Sequence, residues 1–158
     1  MASLREQLLN NIRVGKTNLA SGGIGLEKLV AELLRTEGYV AKVQAKTACE
    51  GNADVDVEAF RNDRFTSSKL LIQVKHHSGN TGHHALHQLQ PLDNEDDAQR
   101  WIITTGDVQQ ELVEEAEGQG IGVMDGEQFV DWILERGDSL SQATLNRLGL
   151  STGLSLLL

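Results

Sequence analysis

The segment Lys69-Leu70-Leu71-Ile72-Gln73-Val74-Lys75 sets the architecture of this chain. Four aliphatic residues in seven make it a strand suited to the middle of a sheet. Alternation puts Leu70, Ile72 and Val74 on one face and Gln73 and Lys75 on the other. Just upstream, Asp54-Val55-Asp56-Val57-Glu58-Ala59-Phe60 predicts a second strand, with a turn at Asn62-Asp63 between the two. The same alternation places Asp54 and Asp56 on one face and Val55 and Val57 on the other. A buried strand face rarely carries two carboxylates without a partner. Paired as a hairpin, these strands bring Asp56, Gln73 and Lys75 together at one end of a sheet.

Working outward, residues 3–13 and 24–37 predict amphipathic helices. Leu26, Leu29, Val30, Leu33 and Leu34 share one side of the second. Gly38 follows as a C-terminal cap. Glu27 falls on the border of that apolar stripe, about 20° from Leu34 on an ideal helix. Its charged companions Lys28, Glu32 and Arg35 lie on the far side. Residues 39–46 predict a strand and Thr47 to Ala53 a loop. Beyond the hairpin come a His/Gly-rich stretch at 76–84, a helix at 83–90 and a strand at 100–105. A helix at 107–118 follows, with Asp107 as its N-cap. A strand at 120–124 and a helix at 126–136 complete the pattern. The order α-α-β-β-β-α-β-α-β-α predicts an α/β fold, a mixed sheet of about five strands with helices on both faces. Three segments follow: an N-terminal helical extension at 1–21, a core at 22–137 and a Leu/Ser-rich tail at 138–158. For the tail, a docking helix, a dimer contact and a frayed end all stay open.

The length, 158 residues, suits one domain. Hydrophobic residues at 39% and charged residues at 23% exclude a disordered chain. No apolar run approaches the roughly 20 residues of a membrane span. One cysteine, Cys49, excludes an intrachain disulfide. With no secretory signal, a cytoplasmic protein without membrane partners is expected. The net charge of −9 has the wrong sign for a simple nucleic-acid binder. Its distribution matters more. Residues 1–48 carry +3 and residues 93–135 carry −12. The first third can face a polyanion while the acidic segment points away.

One chemical scheme uses the polar residues gathered above. Mg²⁺ takes one or two carboxylates together with carbonyl oxygens and waters. Asp56 supplies a carboxylate, Gln73 an amide oxygen and Val74 its main-chain carbonyl. Glu27 holds a metal-bound water. Lys75 orients or deprotonates the attacking water, or offsets charge in the transition state. That is metal-assisted phosphodiester hydrolysis.

Asp56, sixteen further residues and then Gln73-Val74-Lys75, after a helix bearing Glu27, resembles the PD-(D/E)xK nuclease superfamily. More narrowly it resembles the Mrr-like restriction endonucleases, where Gln-x-Lys replaces the acidic-x-Lys pair. Gly25-Leu26-Glu27-Lys28-Leu29-Val30, Glu37-Gly38-Tyr39 and Gly51 through Ala59 resemble that group's opening helix, turn and Asp-bearing strand. Trp101-Ile102-Ile103-Thr104-Thr105 and Gly120 through Gly126 resemble its later strands. The resemblance spans residues 22–135. It implies a restriction-endonuclease-like core, DNA as substrate, Mg²⁺ with Mn²⁺ as a substitute, and a role in restriction or defence. A homodimer or a larger assembly is also implied. The usual second glycine before the acidic residue is absent, which leaves Asp54 as the alternative ligand. The group's DNA-reading domain has no counterpart, so specificity is expected to be weak or to come from elsewhere.

Lys16, Lys42, Lys46, Arg61, Arg64 and Lys69, with Arg13, are expected to hold phosphates, and His76 and His77 to touch them. His83 and His87 have i, i+4 metal-ligand spacing but no H-E-x-x-H context. Gly22-Gly23-Ile24-Gly25 lacks the Gly-Lys-Ser/Thr ending of a phosphate loop. Two alternatives to the endonuclease stand. One is a catalytically silent nuclease-fold module that binds nucleic acid or a partner subunit. The other is a structure-selective nuclease of the junction-resolvase kind.

Overall fold

Ser3 opens the first helix. Its hydroxyl accepts the Glu6 N–H at 3.1 Å and the Glu6 carboxylate takes the Ser3 N–H, a reciprocal cap. The computed structural model describes residues 2–15, 24–44, 55–77, 79 and 98–150. Helix α1 spans Leu4–Arg13 and α2 Ile24–Thr36. Strands β1 (Val40–Val43), β2 (Val57–Asn62), β3 (Ser67–Lys75) and β4 (Ala98–Thr104) follow. Then come α3 (Gln110–Gly118), β5 (Ile121–Met124) and α4 (Gly126–Glu135). A 3₁₀ turn at Gly137–Ser139 and helix α5 (Gln142–Arg147) follow α4.

The five strands form one mixed sheet in the order β1-β2-β3-β4-β5. The first three are antiparallel neighbours, whereas β3–β4 and β4–β5 are parallel. Val57 opposite Ile72 and Ala59 opposite Leu70 turn one face toward the main core. That face is covered by α1, α2, α4 and the segment carrying Leu140, Leu145, Leu148 and Leu150. The opposite face is covered by α3, where Leu112 and Ala116 pack on Ile102 and Ile121. Helices therefore lie on both faces, as the alternation of elements predicts. Among the described residues, no helix is long and apolar enough to cross a membrane.

Local signals explain most boundaries. Gly38 adopts φ +93° at the end of α2, where Tyr39 N–H reaches back to the Leu34 carbonyl. Asp63 holds the β2–β3 turn, its Oδ1 accepting the N–H groups of Phe65 (2.7 Å) and Thr66 (2.8 Å). These charge-assisted bonds keep its carboxyl below the ordinary aspartate range. Arg5 joins α1 to α4 through Asp131 at 2.6 Å. Asp125 caps α4 in a second reciprocal pair with Gln128.

Two expectations are corrected. Asp107 is not the cap of α3. The helix begins at Gln110 after Gln109, and Asp107 instead meets the Arg13 guanidinium at 3.0 Å. A tertiary ion pair has taken the side chain that a local reading assigns to the helix. Val55 and Val57 do not share a face either. Val55 packs on the α3 side and Val57 in the main core. The reason is a slip in the strand ladder, described below. The expected helix at 83–90, His83, His87, Cys49, Lys16, Lys46 and Asp54 lie outside the described residues.

Gly122 on β5 sits directly beneath Trp101. A Cβ there would stand 2.6 Å from the indole ring. Gly122→Ala is expected to lower unfolding free energy by about 1–3 kcal/mol through overpacking. Urea denaturation measures it, and an unchanged midpoint contradicts the fit.

Candidate active site

Three of the polar residues singled out above are buried, and two of them, Asp56 and Gln73, lie toward one end of the sheet. Glu27 is 3%, Asp56 4% and Gln73 0% exposed, in a chain whose other buried residues are mostly aliphatic. Carboxylates reach such depth when paired or when they serve a metal.

Asp56 is placed by a one-residue slip between β2 and β3. The ladder sets Val57 opposite Ile72, yet the Asp56 N–H also reaches the Ile72 carbonyl, at 2.8 Å. Two residues of one strand thus face one of its neighbour, as in a β-bulge. The Asp56 carbonyl accepts the Gln44 N–H at 2.8 Å on the other side. Among the described residues the β2–β3 ladder ends at the Val57–Ile72 pair, short of Val74. The Asp56 carboxylate takes the Val74 N–H, Oδ2 to N at 2.8 Å. Such a charge-assisted bond is stronger than a neutral backbone bond.

The strand then dictates where the carbonyls go. A β residue directs its N–H and C=O to the same side. The Val74 carbonyl therefore points to the Asp56 side of β3. The Lys75 carbonyl points to β4, where it accepts the Thr105 N–H at 3.1 Å. At this corner the Asp56 carboxylate thus lies beside Val74, the residue between Gln73 and Lys75 on β3. Glu27 lies in the first turn of α2, the helix packed on β1 and β2. The Gln73 side chain is engaged by its surroundings, although its Oε1 accepts no hydrogen bond from the described residues.

This donor set is all oxygen: carboxylate, carboxamide and main-chain carbonyl. It suits a hard divalent cation, which needs only one or two carboxylates. Among the described residues no three His, Cys, Asp or Glu side chains cluster as a ready-made metal cage. The fit is to a cation that keeps several waters.

The expected phosphate contacts divide. Lys42 is exposed on β1, next to Val43, which faces Val57 at the site end of the sheet. His76 and His77 directly follow Lys75. Arg61, Arg64 and Lys69 lie toward the opposite end of the hairpin. Lys69 is four residues from Gln73 along β3, about 13 Å. Lys69 pairs with Glu58 at 3.2 Å, and the Arg61 guanidinium lies over the Tyr39 ring at 4.7 Å. The structure does not bring these three to the corner.

Sequence reading passed over the residues that hold the far side of Lys75. Thr105 is 1% exposed, and its hydroxyl accepts the His77 N–H (2.9 Å) and donates to the His77 carbonyl (2.8 Å). Arg13, expected at phosphates, donates its Nε–H to the Thr105 carbonyl at 2.6 Å. Contacts 92 residues apart leave no local signal in the sequence.

Burial, then the charges of Lys75 and His76, hold the His77 imidazolium below the ordinary histidine range. The unfolded chain therefore binds this proton more readily than the folded one. Stability from this group is intact above the unfolded value near pH 6.5 and declines as pH falls through it. His77→Gln is expected to flatten the fall in melting temperature between pH 7.5 and 5.5. Parallel slopes for the two proteins contradict this.

A family model described as "Restriction endonuclease", the Mrr catalytic domain, matches residues 20–133. Among solved structures, the chain is similar to the DNA modification-dependent restriction endonuclease AspBHI. That match has TM-score 0.63 and 14% identity over 94% of this chain and 40% of that one. It is also similar to the MspJI restriction endonuclease, solved in complex with a 27-mer oligonucleotide. There the TM-score is 0.54 and the identity 15%, over 94% of this chain and 39% of that one. These likenesses show the fold, and the chain spans about 40% of the length of either structure. No curated protein gives a significant match.

Proposed function

The chain belongs to the Mrr catalytic-domain family of restriction endonucleases, and from that premise we propose that it is a divalent-metal-dependent DNA endonuclease. One observation carries the reading: the buried Asp56 carboxylate is bonded to the Val74 N–H at the bulge, directly before Lys75. A purely structural strand end has no use for a buried acid and amide beside a lysine.

Asp56, Gln73 and the Val74 carbonyl would hold Mg²⁺, or Mn²⁺ in its place, with Glu27 fixing a water of its shell. Asp54 is the alternative carboxylate. When bound, the cation offsets the charge that builds on phosphate oxygens and acidifies nearby water. The rest falls to the chain's own groups. The Val74 N–H keeps the Asp56 carboxylate from rotating. Lys75 orients the attacking water, takes its proton or offsets phosphate charge. The water oxygen bonds to phosphorus, a P–O bond to the sugar breaks, and the leaving oxygen is protonated from solvent. Lys42, His76 and His77 would contact the flanking phosphates.

The role we assign is restriction or defence in the cytoplasm, by a homodimer or a larger assembly. Both similar structures are more than twice as long as this chain. The net charge of −9 supports the competing reading of a silent module that only binds nucleic acid or a partner.

Supercoiled plasmid separates the two. The full chain with Mg²⁺ or Mn²⁺ at low salt is expected to nick or linearise it. Lys75→Ala and Asp56→Ala are expected to lose about 10²–10⁴-fold in rate. Binding without cleavage by wild type and variants alike contradicts the hydrolytic reading. Cleavage that survives Asp56→Ala and dies in Asp54→Ala moves the ligand to Asp54.

A further inference from the structure

We infer that Thr105, braced by Arg13 of α1, is a positioning residue for Lys75. The inference rests on the hydrolytic reading for its purpose, though not for its geometry. Strand β3 ends at Lys75 and β4 at Thr104. A parallel pair normally frays there. Thr105 instead carries the pairing two residues further. Its N–H donates to the Lys75 carbonyl at 3.1 Å. Its hydroxyl accepts the His77 N–H at 2.9 Å and donates to the His77 carbonyl at 2.8 Å. One residue thus holds the backbone on both sides of His76, immediately after the lysine. A hydroxyl can donate once and accept twice, so a single Thr satisfies both His77 groups.

Thr105 is itself held from two further sides, by Arg13 and by the start of α4. The Arg13 Nε–H donates to its carbonyl at 2.6 Å, and Arg13 Nη2 also meets Asp107 Oδ1 at 3.0 Å. The start of α4 presses on the same carbonyl: a Cβ at Gly126 would lie 2.2 Å from it. The Gly126 N–H meanwhile bonds the Gly106 carbonyl at 2.9 Å. The His76 ring adds a link to α1, its Nε2 lying 3.0 Å from the Ile12 carbonyl. Helix α1 precedes the residues matched by the family model. A brace from outside the matched core therefore reaches the strand end beside the proposed site.

A strand end held this way fixes the backbone from which the Lys75 side chain extends. If the clamp opens, the backbone at 75–77 gains freedom and the ammonium loses its alignment with the corner. A misplacement of about 1 Å can cost 10²-fold in rate while leaving binding intact. The cost is expected to fall mainly on the chemical step, since Thr105 itself is buried.

Thr105→Val removes the hydroxyl at constant shape, Thr105→Ser keeps it, and Arg13→Lys keeps charge but loses the Nε donor. All are made in the full chain. Lys75 side-chain order is read by ¹³C relaxation at Cε and His77 amide protection by hydrogen exchange, neither of which needs turnover. Thr105→Val is expected to loosen both, Thr105→Ser neither, and Lys42 order to stay constant throughout. Single-turnover cleavage is expected to fall about 10–10²-fold in Thr105→Val, well beyond any loss of duplex affinity. Arg13→Lys is expected to fall several-fold, and Thr105→Ser to cut at nearly the wild-type rate. Unchanged Lys75 order in Thr105→Val overturns the inference, as does a rate loss that Ser fails to rescue. A wild type that does not cut, with Lys75 still loosened in Thr105→Val, fails the hydrolytic reading and leaves the clamp standing.

Discussion

A single hydrogen bond, from the Val74 N–H to the Asp56 carboxylate, is the constraint on which the candidate site depends. It exists because the β2–β3 ladder slips by one residue at Asp56. Among the described residues the ladder stops short of Val74, and a buried backbone donor needs an acceptor. The carboxylate supplies it and is oriented in return. The same slip separates Val55 from Val57, so each valine anchors a different core. One irregularity thus ties both hydrophobic layers to the acid between them.

The surrounding fold reads as support for that corner. Strand β1 holds Asp56 from one side through Gln44, and β4 extends past its own end through Thr105 to hold Lys75 from the other. Helix α2 lays an apolar stripe over β1 and β2 and carries Glu27 down in its first turn. Burial of three polar side chains is costly unless each is satisfied.

Much of this was legible in the sequence. The apolar run of β3 interrupted by Gln73 and Lys75, the stripe of α2 and the glycine after it all act locally, within a turn or a strand. The bulge was not legible, because it is one hydrogen bond shifted by one residue in an otherwise regular ladder. The Arg13–Thr105–Asp107 group was not legible either, since its partners are distant in sequence. Arg13 read as a phosphate contact and Asp107 as a helix cap, each the best local use of its side chain. Arg61, Arg64 and Lys69 read as one basic set with Lys42. The hairpin carries them to its far end, and only the register shows that.

The most direct test of the corner as a cation site is the binding of Mn²⁺ to the full chain, followed by electron paramagnetic resonance in wild type and Asp56→Asn. Asparagine keeps the shape and an acceptor for the Val74 N–H but removes the charge. Wild type is expected to hold a Mn²⁺ that the variant releases. Equal binding by both proteins contradicts the assignment of Asp56.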